Sequence, residues 1–494
     1  MSHLPRLHMY SSSRSRSDLP AWAKNLPVLW LWLWMLPLGV ILLIGIGGCA
    51  ADISSGSRQT GPAADEALLS LYLETKGLCS TDVTLRLENL VLKSEMQEVP
   101  LYFNPVTLEW QKVQDRQVLL GLAKVPAGYY DDLEVDVVLA TPNGTSLEKT
   151  LSLRFPQTVD LDEGSSQCLF LTWNLDGCVG ADRQLEAKLT AHGQEQPLSQ
   201  DLLFVLCDET RTLYLVRTDT RFVTAAIGLD GVVTELAVHP DRQTLYLLNR
   251  SRRSLQALDL TTLKLVDRIP LPLAVEPTSL ALDVVQNAAF VSDPRVRMVL
   301  RVDLDDGQVT ARQQADLPPG ELAFLQQASP GLLAVSLPMA QQVMILDAET
   351  LAVQKTFNTG LQPRNLLAAG GRLYIAETGS QTVSIYDVSS GQQIGQVRLF
   401  GEPADLLADD AIGKVYVSNR QTDSLAVIEF GQVSSARSIS VGSTPGALAL
   451  SGRRGAIFIA NPDARAVTTL DLASERVLNV TQVGAAIKDL VVYE

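Results

Sequence analysis

The chain has 494 residues, too many for one ordinary hydrophobic core, so two or more domains are expected. Its 46% hydrophobic content, with 33 Gly and 24 Pro, is the composition of a turn-rich globular protein rather than a disordered one. A net charge of −15 excludes a general nucleic-acid binder acting through its overall field.

Residues 1–48 carry Arg6, Arg14, Arg16 and Lys24 against Asp18, then an apolar run from about Leu26 that ends in LIGIGGC. A basic start, an apolar middle and small residues before a cut site are the parts of an export signal. The segment resembles a bacterial lipoprotein signal, with Ile46, Gly47, Gly48 and Cys49 standing as its lipobox. That resemblance implies cleavage before Cys49 and addition of palmitate-type acyl chains, hence a membrane partner reached through an N-terminal lipid. An uncleaved anchor is the alternative, because the run is about long enough to span a bilayer. Both readings export everything after residue 49. Ala50, in place of an Asp after the Cys, leans towards an outer membrane, with either face of it open. Without residues 1–48 the chain keeps 36 basic and 54 acidic residues, a charge of about −18.

Residues 49–66 are small, polar and without periodicity, as a flexible tether would be. From 67 to 195 short alternating segments follow one another: VTLRLENLVL, EVPLYF, TLEWQKV, RQVLLGLAKV, LEVDVVLA, LEKTLSLRF, CLFLTWNL and QLEAKLTA. Period-two patterning broken by Pro, Gly, Asn and Asp predicts an antiparallel β-sandwich. The stretch VPAGYYDDLEVDVVLA resembles the Gly-x-Tyr turn and strand of transthyretin-like lipoprotein sandwich domains, which implies fold and no chemistry. Beyond Cys49, four cysteines remain: Cys79, Cys168, Cys178 and Cys207. They allow three pairings in an oxidising compartment. Cys168 and Cys178 bracket LFLTWNLDG and are the candidate disulfide, and Cys207 reads equally as a buried free thiol.

From 200 to 494 one unit is copied. Second strands end at Cys207, Asn249, Asp293, Leu337, Glu377, Asn419 and Asn461, and third strands end ten residues later in every copy. Repeats of about 42 residues with several strands each predict a β-propeller. LYLLN, LYIAE, VYVSN and IFIAN, followed by SLQALDL, TVSIYDV and AVTTLDL, resemble the YVTN-type (NHL/YncE-like) propeller repeat over about 290 residues. The first copy lacks a first strand, and GAAIKDLVVYE supplies one after the seventh. The expected fold is therefore all-β: an N-terminal antiparallel sandwich, then a seven-bladed propeller closed by the C-terminal strand.

Catalytic constellations are scarce in the sequence. Only His192 and His239 follow the signal, in different domains, and there is no CxxC, haem or Walker motif. No metal and no cofactor are expected, and no convergent acids stand out at comparable positions. The Asp or Glu ending most third strands reads as a turn acceptor. What varies is the loop after the second strand: CDETRT, NRSRRS, DPRVRM, LPMAQQ, ETGSQT, NRQTDS and NPDARA. Arg250, Arg252, Arg253, Arg295 and Arg297, joined by Arg420 and Arg465, place a basic sector on that face, the candidate for an anionic protein or an envelope polymer. Solvated or acid-paired arginines are the alternative. The expectation is a lipid-anchored, non-catalytic envelope binding or scaffolding protein, its oligomeric state open. Its rivals are a lactonase or quinone-dependent dehydrogenase, and a structural surface-layer or cell-wall-associated protein.

Overall fold

Alternating apolar residues in the first half build two sheets that share one core. The strands are β1 (Glu66–Lys76), β2 (Thr84–Lys93), β3 (Glu98–Leu101), β4 (Val106–Glu109), β5 (Gln117–Pro126), β6 (Gly128–Ala140), β7 (Ser146–Leu161), β8 (Ser166–Asn174) and β9 (Leu189–Gly193). One sheet runs β5-β1-β8-β9, and the other runs β3-β2-β6-β7 with β4 also paired to β2. Leu69, Leu71, Leu85, Val135, Val137, Leu171 and Trp173 are among the side chains between them. The computed structural model describes residues 61–494 except 64, 80, 177, 180–183, 195–199, 327–330 and 433–435, so the signal, Cys49 and most of the tether lie outside the described residues.

Three expectations for this half are corrected. The sheets are not wholly antiparallel, because β1 and β8 run side by side in parallel from Leu68 opposite Ser166 to Lys76 opposite Asn174. A parallel pair needs a long crossover, and the strands of the other sheet lie within it. TLEWQKV is not one strand: after β4, Trp110–Val113 forms a single helical turn. Within the expected tether, Gly61 and Pro62 are held: Gly61 N–H donates to the Glu209 carbonyl at 2.9 Å, and Arg211 Nη2 donates to the Pro62 carbonyl at 2.6 Å.

The second half forms seven four-stranded antiparallel sheets. In the first, β10 (Leu202–Cys207), β11 (Thr212–Arg217) and β12 (Val223–Gly228) are joined by the C-terminal strand Asp489–Tyr493, which pairs with β10 from Leu202 opposite Tyr493 to Leu206 opposite Asp489. The other six sheets each consist of four consecutive strands. Second strands end at Cys207, Asn249, Asp293, Leu337, Glu377, Asn419 and Asn461, the landmarks of the repeat. The innermost strands lie against one another in order around an axis, and Asp489–Tyr493 lies between those of the second and seventh blades.

The two halves form one compact unit. Strand β8 is buried on both faces because its outward side chains enter a second core. There Tyr72, Leu119, Cys168 and Phe170 meet Tyr214, Val216 and Val223 of the first blade and Phe458 and Val467 of the seventh. Ser70 Oγ and Tyr214 Oη lie 2.9 Å apart, as do Ser166 Oγ and Thr212 Oγ1. The outer edge of β12 would otherwise expose unpaired backbone. Gln117 takes both Val223 groups, accepting from N–H at 2.8 Å and donating to C=O at 2.9 Å. Gln194 Oε1 accepts the N–H groups of Cys168 and Ala226 together.

Phe170 stands at the centre of this interface, stacked between Tyr72 and His192. Phe170→Ala is expected to cost about 3–5 kcal/mol. In a chain lacking residues 1–48 the two tryptophans are Trp110 and Trp173, both in the sandwich half. Their fluorescence and far-UV circular dichroism should therefore melt together. Separate transitions in the parent chain would mean that the halves fold independently.

Candidate binding face and channel mouth

Each blade sends two connections to one face: the turn between its second and third strands, and the link to the next blade. A buried polar residue ties them together. Asn249 Oδ1 accepts the Arg252 N–H at 2.9 Å while its amide donates to the Asp230 carbonyl at 2.6 Å. Asp293 accepts Arg295 N–H and Val296 N–H with one oxygen, and Val275 N–H and Glu276 N–H with the other. Glu377 accepts Gly360 N–H, and the Asn461 amide donates to the Ser443 carbonyl. The last residue of these turns has positive φ in all seven blades: Arg211, Arg253, Arg297, Gln341, Gln381, Asp423 and Arg465. Its carbonyl accepts an N–H from the end of the fourth strand or just beyond, as Leu271 donates to Arg253 and Val483 to Arg465.

The candidate arginines divide on this frame. Arg252 forms an ion pair with Asp230 at 2.5 Å, a carboxylate it shares with Arg268. Arg297 Nη1 donates to the Asp316 carbonyl at 3.1 Å. Arg250, Arg253, Arg295 and Arg420 are exposed, Arg465 is half-buried, and none of these five is in an ion pair among the described residues. The opposite face holds the turns after the third strands, where Asp259, Asp303, Asp347, Asp387 and Asp471 each accept N–H groups from the residues just after them. The hydroxyls of Thr350, Ser474 and Ser389, with the N–H groups beside them, hold Asp347 and Asp471 below the usual carboxylate range and Asp387 at about 2, and the N–H and hydroxyl of Thr262 hold Asp259 down as well. Part of the acidity on that face is paired, since Arg242 meets Asp305 and Arg437 meets Glu475.

Convergent acids are present after all. Where the innermost strands begin, the residue before a recurring Leu is Asp489, Glu235, Ser279, Glu321, Asn365, Asp405 and Ala447 in blades one to seven. These side chains ring the axis and hold neighbouring blades together. Asp489 accepts Leu236 N–H at 2.8 Å, Glu235 accepts Leu280 N–H at 2.6 Å, and Asp405 accepts Leu448 N–H at 2.8 Å. Ser279 Oγ accepts Leu322 N–H and donates to Glu321 at 3.2 Å. Each carboxyl keeps a sliver of surface towards the axis, yet protein encloses it, and burial raises all four. Asp489 is pushed up to about 6, and Glu321 and Asp405 to about 7. Glu235 goes higher because the charges of Glu321 and Asp489 add to burial, and it shares a hydrogen bond with Glu321.

Of the cysteines, the expected Cys168–Cys178 pair is not formed. Cys168 faces the core between sandwich and propeller, whereas Cys178 faces the sandwich core, so the two thiols belong to different packing layers. The structure joins none of the four described cysteines by a disulfide bond. Cys178 Sγ lies 3.2 Å from Cys79 Sγ.

With this geometry in hand, similarity to known proteins can be placed on it. No family profile matches the chain. The uncharacterised YncE proteins of Salmonella typhi and Salmonella typhimurium are each 36% identical to it over 100 residues, 20% of this chain. The match spans 28% of those relatives' length. The repeats are YncE-like. A functionally unknown protein from Desulfotomaculum acetoxidans superposes with a TM-score of 0.52 at 15% identity, covering 60% of this chain and all of its own. A protein from Lactobacillus plantarum does so with a TM-score of 0.50 at 18% identity, covering 59% of this chain and 98% of its own. At such identities the likeness concerns the fold alone, a propeller.

The ring carboxyls bind their protons more tightly in the folded chain than in the unfolded one. Their contribution to stability is therefore complete below about pH 4, the unfolded carboxyl range, and is lost as pH rises through 6 to 7. The turn aspartates act in the opposite sense, since their contribution is lost as pH falls below about 4. Thermal melts should thus show the highest Tm near pH 5 and a fall of several degrees by pH 8, on the order expected for a shift of a few kcal/mol. Glu235→Gln can still accept from Leu280 and donate to Glu321, so the fall should shrink. An undiminished fall in that variant would remove the ring as its cause.

Proposed function

We propose that this chain is a lipid-anchored, non-catalytic binding module of the cell envelope, held through Cys49, whose recognition surface is the loop face of blades two and three. The partner is a protein with a carboxylate-rich surface. One observation supports this above the others. Arg250, Arg253 and Arg295, in no ion pair among the described residues, project from turns pinned by Asn249 and Asp293, in a chain of net charge −15. Beside them, in the link between the two blades, Leu273 and Val275 are partly exposed. Guanidinium groups around an apolar patch on a rigid frame have the composition of a protein interface rather than of a purely solvated loop.

A second reading has its own observation. Carboxyls raised towards neutrality are what acid–base catalysis uses, and the channel mouth gathers four of them. Against it, three of the four accept a backbone N–H from the next blade, which ties them to the frame.

The test is a chemical cross-linking pull-down in mild detergent from native envelopes. It compares the parent chain with an Arg250→Ser, Arg253→Asn, Arg295→Ser variant. Asn suits the positive φ of 51° at Arg253, and Arg252 and Arg297 are left alone because they hold neighbouring groups. A control carries Arg242→Ser and Arg437→Ser on the other face. A protein cross-linked by the parent and the control, and reduced at least tenfold with the triple variant, supports the reading. Capture that is equal in all three, or a polysaccharide as the only captured species, rejects it. Capture that survives Glu321→Gln as well separates binding from any chemistry at the channel mouth.

A further inference from the structure

Cys79 and Cys178 are 99 residues apart in sequence, and parallel pairing brings them together. Strands β1 and β8 end opposite one another at Lys76 and Asn174, and both chains then turn in the same direction over the sandwich core. The turns are tied to each other. Leu175 N–H donates to the Lys76 carbonyl at 2.7 Å, and Leu78 N–H donates to Asp176 Oδ1 at 3.0 Å. Gly77, at a φ of +80°, lies so close to the Asp176 carboxylate that a Cβ there would collide with it. Past Asp176, Cys178 N–H donates to the Leu175 carbonyl at 3.3 Å and its carbonyl accepts Glu186 N–H at 2.9 Å. Both backbones around the thiols are thus fixed, and both side chains lie in the core with Val83, Trp173 and Leu175. Burial and the neighbouring Cys79 push the Cys178 thiol up to about 12, so as a thiol it has little nucleophilic use at neutral pH. The other two cysteines sit in a separate core, with Cys168 beside Phe170 and Cys207 on β10.

We propose that Cys79 and Cys178 close a disulfide that clamps the ends of β1 and β8, while Cys168 and Cys207 stay as buried thiols. The oxidant is a disulfide, of a small thiol or of a thiol-oxidising protein. A thiolate of one cysteine attacks a sulfur of that disulfide and expels one thiol. The second cysteine, losing its proton, then attacks the mixed disulfide and expels the other. Two protons and two electrons leave the pair, and the oxidant becomes two thiols. In the folded chain both sulfurs are buried, so the exchange takes place before the sandwich core closes over them.

The test refolds the full chain from denaturant in a buffer of reduced and oxidised glutathione, blocks free thiols under denaturing conditions, and maps peptides without reductant. The expected result is one cross-linked peptide pair joining Cys79 to Cys178, with Cys168 and Cys207 alkylated. Thermal melts with and without reductant should differ in the parent. They should coincide in a Cys79→Ser, Cys178→Ser variant, while Cys168→Ser keeps the difference. A link from Cys168 to Cys178, or alkylation of Cys79 and Cys178 in folded protein, overturns the proposal. Should the double-serine variant fail to fold, the peptide map of the parent decides alone.

Discussion

A ring of β-sheets seen edge-on leaves one problem that packing cannot solve. The innermost strand of every blade is an edge strand, and its free N–H groups need acceptors. At four junctions the next blade's Leu N–H is taken by a side chain of the blade before it, in the same direction around the axis: Asp489 to Leu236, Glu235 to Leu280, Ser279 to Leu322 and Asp405 to Leu448. Where the seventh blade offers Ala447, which has no acceptor, Leu490 N–H bonds instead to Asp489 Oδ1 beside it. Leu406 N–H is likewise taken by Asp405 beside it, so the acceptor is whichever polar side chain reaches. Using carboxyls for it buries several of them around one axis, and burial, with neighbouring carboxylates adding to it at Glu235, Glu321 and Asp405, forces their affinity for protons upward. The electrostatics of the channel mouth therefore follow from backbone hydrogen bonding.

The sandwich settles a different edge. Gln117 and Gln194 act as backbone surrogates for the outer strand of the first blade, while Phe170 and Tyr72 fill the wedge between the first and seventh blades. That wedge is the place where the chain's two ends meet in one sheet, so the first half of the sequence reinforces the blade whose strands come from most distant parts of the chain. The segment at Gly61 and Pro62 also lies over the first blade's turn. The loop-face turns of blades two to six stay exposed, those of blades two and three with their arginines among them.

The repeat was legible almost to the residue, because five second strands end in Asn, Asp or Glu for a structural reason: Asn249 and Asp293 tie a turn to a link, and Glu377 and Asn461 each bond to a link and to the third strand. Strand β1 was not legible, since EALLSLYLETK is buried on both faces along most of its length and so shows no alternation. The same burial hides the parallel pairing with β8 and, with it, the approach of Cys79 to Cys178. Spacing along the chain made Cys168 and Cys178 look like partners. In an alternating strand and the loop beyond it, however, such neighbours can end on opposite sides of a sheet. The carboxyl ring was missed for another reason. TELAV, TSLAL, GELAF, RNLLA, ADLLA, GALAL and KDLVV share the Leu, which catches the eye, while the residue before it keeps only its capacity to accept a hydrogen bond. A repeat read by chemical class instead of by identity would have exposed it.

The turns of the loop face carry the same distinction between what the backbone demands and what it leaves free. All seven place a non-glycine residue at positive φ, at a cost of about 1–2 kcal/mol each relative to ordinary backbone. The cost is tolerated because that conformation aims the residue's carbonyl at an N–H closing the blade. Glycine or asparagine would satisfy the backbone more cheaply, yet the seven residues are Arg, Arg, Arg, Gln, Gln, Asp and Arg in blade order. Backbone geometry explains the strain and says nothing in favour of a guanidinium. In the third blade the side chain repays part of it locally, since Arg297 holds the Asp316 carbonyl. At Arg253 no ion pair answers the charge among the described residues. Arg253 therefore keeps the strain of its position with no ion pair to offset it, whereas Arg297 ties its side chain back to the frame.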